Sequence, residues 1–204
     1  MESNYKSAPD CYKSIATLSK GLYKDNGSKF ISFAYPVETE LQVKSILSEI
    51  KKEYFDARHH CYAYRLGYLG DKWRINDDGE PSSTAGKPIY GQILSNELSD
   101  LLIVVVRYFG GIKLGVPGLI KAYKSAAADA IANARIIEKI AGEIYTVTFD
   151  YLQMNEVMKV LKDLNITPST QNFDLSCTID VKVRLTQIDQ FRELLKNTHI
   201  CQKV

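Results

Sequence analysis

The sequence predicts an α+β protein built as two domains, and three observations predict it. Residues 1–138 read as strands, a helix, a strand, a polar loop, the most apolar strand of the chain and a long alanine-rich helix. Residues 139–204 read as strand, helix, strand, strand, helix, the element order of a ferredoxin-like sandwich. The length of 204 residues accommodates one large domain or two small ones at about 100–200 residues each, and the second run of elements selects two.

Each element follows from its residues. Residues 11–19 and 30–37 are β-rich runs joined by residues 21–29, where Asp25-Asn26-Gly27 is a turn signal. After Pro36, the Thr39 hydroxyl suits a helix N-cap, because it accepts from a free first-turn amide. Leu41, Ile46, Leu47 and Ile50 then fall near helical spacing, with Lys44, Glu49 and Lys51 on the other face. Residues 60–69 form a third strand, residues 76–86 a polar loop, and residues 88–98 a short helix that Ser or Thr of that loop caps. In residues 101–108 the run Leu-Leu-Ile-Val-Val-Val is apolar on both faces, as a strand covered on both sides requires. The helix from about 119 to 133 carries Ala122, Ala126 and Ala130 at i, i+4 spacing, small enough to lie close against a sheet.

The second domain repeats the grammar on a smaller scale. Residues 143–149 alternate as a strand, and Asp150 caps a helix that presents Leu152, Val157, Met158, Leu161 and Leu164. Residues 166–173 and 175–185 are two further strands. In the latter Cys177, Ile179, Val181, Val183 and Leu185 alternate with polar residues, and Lys182 and Arg184 fall on the wet face. Ile188, Phe191, Leu194 and Leu195 mark the last helix.

Composition excludes several classes of function. Hydrophobic residues make up 45% and charged residues 25%, which argues against disorder, collagen and a membrane protein. The longest aliphatic run, Leu101 to Val106, is far short of the roughly 20 residues that cross a bilayer. The opening MESNYKSAPD has no apolar core of a signal peptide, so a cytoplasmic, membrane-free monomer is expected. The net charge of +2 excludes a protein that holds nucleic acid by bulk potential and leaves only a shaped local site. Cys11, Cys61, Cys177 and Cys201 show no zinc-finger spacing and read as buried and inert, and His199 has no companion. No cofactor and no metal centre are expected.

Two constellations can carry chemistry. Four of the 12 glycines, Gly110, Gly111, Gly115 and Gly118, fall within nine residues between the most buried strand and the alanine-rich helix. Strand, glycine loop and helix N-terminus form an anion-binding arrangement, with Arg107, Lys113 and Lys121 at its rim. The alternative is a tight reversal in which backbone packs on backbone. The loop Asp77-Asp78-Gly79-Glu80-Pro81-Ser82-Ser83-Thr84 offers three carboxylates, for basic partners or for a cation such as Mg²⁺, or else is a solvated turn. Asp78, Glu80 and His60 are the weak candidates for acid–base roles, while Tyr62, Tyr64, Trp73, Tyr108, Phe109 and Tyr123 supply aromatic rings near basic groups.

Read together, these strings closely resemble the signature of the YigZ/IMPACT family. DDGEPS at 77–82, TAGKPI at 84–89 and VVVRYFGGIKLG at 104–115 carry the resemblance, with HHCYA at 59–63 and GLIKAY at 118–123 on either side. The resemblance implies a first domain of the type shared by a small-subunit ribosomal protein and the fourth domain of elongation factor G, followed by a ferredoxin-like one. It also implies a role in regulating translation, through RNA or the ribosome. Binding would use Arg107, Tyr108, Gly110, Gly111, Lys113, Gly115, Gly118 and Lys121, with Asp77, Asp78, Glu80, Ser82 and Thr84 shaping the edge. Two alternatives stand beside it: a module that competes for a protein partner in translational control, as eukaryotic relatives do, and an enzyme acting on a phosphorylated substrate through the glycine loop. Three positions depart from the family pattern. Ser83 and Pro117 replace glycines, the one opposing a positive φ and the other removing an amide, and Lys121 replaces an arginine fork by a point charge.

Overall fold

A computed structural model describes residues 10–173, 177–196 and 200–203, with the side chains of 200–203 left aside. The opening segment 1–9, Leu175, Ser176 and His199 therefore lie outside the described residues, as does the side chain of Cys201. The chain divides into two compact units, both α+β: Tyr12–Lys139, and Ile140–Val204 together with Asp10 and Cys11.

In the first unit the strands β1 (Cys11–Ile15), β2 (Ser19–Asp25) and β3 (Ser28–Pro36) precede α1 (Glu40–Glu53). Then follow β4 (His59–Leu66), β5 (Lys72–Asn76), α2 (Gly86–Ser95), β6 (Leu101–Tyr108), α3 (Gly115–Ala132) and β7 (Ile136–Ile140). Five of the strands form an antiparallel sheet in the order β2-β3-β6-β4-β5, and β1 pairs with β7. Strand β6 is central. Its Leu101, Ile103 and Val105 pack with α2 and α3, and its Leu102, Val104 and Val106 pack with Val43 and Ile50 of α1, which is why the run is apolar on both faces. The alanine stripe does bring α3 close: Ser19 and Ser32 donate their hydroxyls to the carbonyls of Ala130 and Ala126, at 2.7 and 2.6 Å.

Several elements differ from those that local sequence pattern predicts. Residues 21–29 are not a connection, because Ser19–Asp25 is a strand turned back by Asn26 and Gly27, both at positive φ. Its inner positions, Ser19 and Gly21, are small because α3 lies against them, so no apolar alternation marks the strand. Strand β5 escaped notice because it is an exposed sheet edge. Thr39 caps α1 as expected, with Gln42 returning the bond. Leu41, however, is 77% exposed, and Val43 takes the inward place. Helix α3 begins at Gly115, four residues earlier than its apolar pattern begins, which turns half of the glycine loop into a helical first turn. Pro117 is tolerated there because first-turn amides have no partner inside the helix.

The second unit runs β8 (Gly142–Phe149), α4 (Met154–Asp163), β9 (Pro168–Phe173), β10 (Cys177–Arg184), α5 (Ile188–Leu195) and β11 (Ile200–Lys203). Its antiparallel sheet has the order β11-β8-β10-β9, the ferredoxin-like arrangement with one strand more than the sequence reading found. Val157 and Leu161 of α4 and Phe191 and Leu195 of α5 cover Val147, Phe149, Ile179 and Val181. Leu152 and Leu185 fall in 3-10 turns at the helix starts, the former 93% exposed. Arg184, on the wet face of β10, is engaged by the buried Asp10 rather than free for an anion. Among the described residues no helix is long and apolar enough to cross a membrane.

Candidate functional site

Pairing register decides which side chains meet. Arg107 on β6 lies opposite Phe30 on β3 and His59 on β4, so these three share one face of the sheet. His60 lies opposite Val106, one step along and on the other face. The sequence reading singled out His60, but its ring Nε2 lies 3.0 Å from the Tyr54 carbonyl and the residue is buried away from Arg107. His59, its neighbour in the same string, is the histidine beside Arg107. Its Nδ1 lies 2.8 Å from the Asp78 carbonyl oxygen, which can only accept, so that nitrogen carries a proton and Nε2 faces Glu80 at 4.0 Å. Tyr108, expected with the binding residues, turns to the opposite face and donates to Asp56 at 2.7 Å.

The acidic loop divides into a scaffold and one buried carboxylate. Asp77 accepts from the amides of Ala85 and Gly86 at 3.0 and 2.8 Å and from Ser83 at 2.9 Å. It thereby caps α2, a task assigned above to Ser or Thr of the loop. The residue at the N-cap itself is Ala85, so a carboxylate from eight residues upstream takes its place. Thr84 donates to the Pro81 carbonyl at 2.7 Å, and Ser82 is exposed. Ser83 adopts φ +65, so the departure from glycine strains the loop without preventing its turn. Asp78 accepts from the His60 amide at 2.7 Å, with Lys51 at 3.4 Å. Glu80, its side chain only 4% exposed, accepts from Arg107 Nη1 at 2.5 Å and from the Tyr123 hydroxyl at 2.8 Å. Burial pushes the Tyr123 hydroxyl far up from its ordinary range, so it remains a neutral donor to Glu80. Burial likewise pushes up the Cys61 thiol, which lies 3.3 Å from the Tyr123 oxygen, and keeps it an unreactive thiol. Because the three carboxylates point to three different sets of partners, the cation reading finds no cluster, and among the described residues no three His, Cys, Asp or Glu gather as metal ligands.

The glycines of 110–118 also divide. Gly110 packs on the β2–β3 turn, where an added Cβ would stand 1.9 Å from the Gly27 carbonyl carbon, and its amide donates to the Ser28 hydroxyl at 3.2 Å. Close backbone packing is therefore the role of that glycine. Gly110→Ala should destabilise this unit by about 1–3 kcal/mol, the cost of overpacking a rigid contact, as read from urea unfolding. A loss below about 0.5 kcal/mol would show that the turn gives way freely. Gly115 has φ +69 and starts α3, whose N-cap, Leu114, provides no side-chain acceptor. The amides of Gly115 and Val116 in that first turn have no intrahelical partners, and Pro117 has no N–H to offer. Gly118 packs against Leu114 within the helix, and Lys121 is exposed on α3.

These pieces enclose a cavity of about 460 Å³. One part of its wall is cationic, with Arg58, Arg107 and Lys113 beside His59 and Glu80. The other is apolar, with Pro81, Phe109, Leu114, Val116 and Leu119, and the start of α3 at Gly115 closes it. Of the residues singled out from the sequence, Glu80, Arg107, Phe109, Lys113 and Gly115 line this cleft. Asp78 and Gly110 support it from behind, and Tyr108, Lys121 and His60 lie off it. Arg107 is held between the rings of Phe30 and Phe109, whose centroids lie 5.4 and 5.7 Å from its guanidinium carbon. Its side chain is 8% exposed, yet its Nε has no hydrogen-bond partner. A buried, rigid cationic donor left without an acceptor is costly unless something fills the place.

Comparison with known proteins follows the same residues. The Impact N-terminal domain family matches residues 26–131. The IMPACT family member YvyE of Bacillus subtilis is 31% identical over 166 residues, 81% of this chain and 76% of its own. The IMPACT family member YigZ of Escherichia coli is 35% identical over 136 residues, 66% of this chain and 67% of its own. The crystal structure of a hypothetical protein superposes with a TM-score of 0.71 at 25% identity, covering 97% of this chain and 98% of that one.

Proposed function

Because the chain belongs to the IMPACT family, we propose that it takes part in the control of translation by binding RNA, alone or within the ribosome, through the Arg107 cleft. The observation that carries this reading is the buried Arg107, whose Nε has no partner, in a wall shared with His59, Lys113, Arg58 and the uncapped start of α3. Phosphate oxygens supply the acceptors that such donors lack. The near-neutral chain offers no bulk attraction for a polyanion, so affinity comes from this place alone. Asp78 and His60, the other acid–base candidates, are held by backbone groups of the scaffold, which favours binding over catalysis as the use of the cleft.

Mobility shifts with single-stranded RNA and co-sedimentation with ribosomes test this. With three cationic contacts, affinity should fall roughly twentyfold between about 50 and 200 mM salt, since each contact to a single strand contributes a slope of about −0.7. Lys113→Glu should abolish binding, whereas Lys121→Ala, off the cleft, should leave it nearly unchanged. Absence of any RNA or ribosome binding at low salt would overturn the reading, and nuclease-resistant capture of a protein by the intact chain would favour competition for a protein partner.

A further inference from the structure

We infer that the cleft is built for a terminal phosphomonoester carried on a nucleoside, either a free nucleotide or the phosphorylated end of an RNA, rather than for an internal backbone phosphate. The inference rests on the reading of the cleft as an anion site and adds what kind of anion it takes.

Charge gives the first reason. The wall holds three permanent cations, Arg58, Arg107 and Lys113, against the single carboxylate of Glu80. Glu80 is committed to Arg107 Nη1 and Tyr123, so the wall keeps a surplus of positive charge. A phosphomonoester carries about −1.5 to −2 near neutral pH, whereas each internal phosphate of a strand carries a single charge. The dianion matches the surplus, and its three terminal oxygens suit donors that converge from several directions. Those donors come from separate elements: Arg107 from β6, Lys113 from the glycine loop and the Gly115 and Val116 amides from the start of α3. An internal phosphate offers only two free oxygens and would bring a chain entering and leaving.

The shape of the cavity gives the second reason. At about 460 Å³ it falls in the range of small-molecule sites, roughly 300–1,000 Å³, and is far larger than one phosphate needs. The remaining space is bounded by Pro81, Leu114, Val116 and Leu119 and by the Phe109 ring, which is 46% exposed. Apolar walls beside a half-exposed ring suit a nucleobase, whose face stacks on aromatic surfaces whatever its sequence.

Calorimetric titration of the full chain tests the inference with four probes: adenosine 5′-monophosphate, adenosine, inorganic phosphate, and one short unstructured RNA carrying a 5′-phosphate, a 3′-phosphate or neither. The nucleotide should bind at least tenfold more tightly than adenosine or phosphate, and an RNA with one phosphorylated end at least tenfold more tightly than the unphosphorylated RNA. Arg58→Ala and Lys113→Glu should each weaken the nucleotide at least fivefold. Neither side chain is a partner in the buried Glu80–Arg107 pair, and unchanged thermal unfolding checks that both variants are folded. If all three RNAs bind equally and the nucleotide does not compete, the inference fails while the RNA reading stands. If the nucleotide binds and no RNA does, the RNA reading fails and the ligand is the free nucleotide. Inorganic phosphate binding as tightly as the nucleotide overturns the base-binding half, and silence from every probe overturns both readings.

Discussion

Replacing Glu80 by alanine should lower the stability of the first unit by about 3–5 kcal/mol, because it strands the Arg107 guanidinium among the Phe30 and Phe109 rings with no carboxylate. The pair is deeply buried, with side-chain exposures of 8% and 4%, so solvent cannot replace the lost partner. The same change also frees the Tyr123 hydroxyl, which donates to the same carboxylate oxygen. At about 2–4 °C per kcal/mol for a chain of this size, the unfolding midpoint should drop by roughly 10 °C. Glu80→Gln keeps an acceptor oxygen and should lose less, about 1–2 kcal/mol. The chain has a single tryptophan, Trp73, stacked on Tyr90 in this unit, so its fluorescence reports the transition directly. A loss under about 1 kcal/mol for the alanine variant would mean that the pair is held by surroundings that tolerate an unpaired guanidinium.

The second unit should be sensitive to acid through Asp10. This residue is 1% exposed, and the Arg184 guanidinium, with help from Thr186, holds its carboxyl down at about 2 against an ordinary 3.8. Arg184 Nη2 and Nε donate to its two oxygens at 2.9 and 3.1 Å, and the Thr186 hydroxyl donates at 2.7 Å. A carboxyl whose folded pKa is depressed binds its proton more readily when unfolded. Its stabilisation is therefore complete above about pH 4 and is lost as pH falls from there towards 2. The amount is about 2 kcal/mol, at 1.36 kcal/mol per pKa unit. Urea unfolding followed by far-ultraviolet circular dichroism at neutral pH and at about pH 3 should show that fall beginning in the wild type, and Asp10→Asn should remove most of the slope. A variant as steep as the wild type would place the acid sensitivity in other carboxyl groups.

The cleft was only half legible in the sequence. The length and rarity of VVVRYFGGIKLG and DDGEPS marked the two loops, and composition restricted any anion site to a local one. The roles inside the loops were not legible. Asp77 and Gly110 looked like binding residues, yet Asp77 caps a helix eight residues away and Gly110 packs on Gly27. Both tasks depend on partners that local propensity cannot see. His59 and His60 are chemically identical neighbours, and only the β4–β6 register sets one beside Arg107 and the other beneath Tyr54.

The sequence by itself determined the α+β class, the ferredoxin-like order of the second unit, the two-faced burial of β6 and the Thr39 cap, because alternation, helical spacing and capping are properties of contiguous residues. Tertiary structure alone decided that β2 is a strand, that α3 starts at Gly115 and that Glu80, Arg107 and Tyr123 form one buried network. Those outcomes turn on pairing register and on the close approach of segments far apart in the chain. Energies of that kind belong to pairs of distant residues, and no window of neighbouring ones contains them.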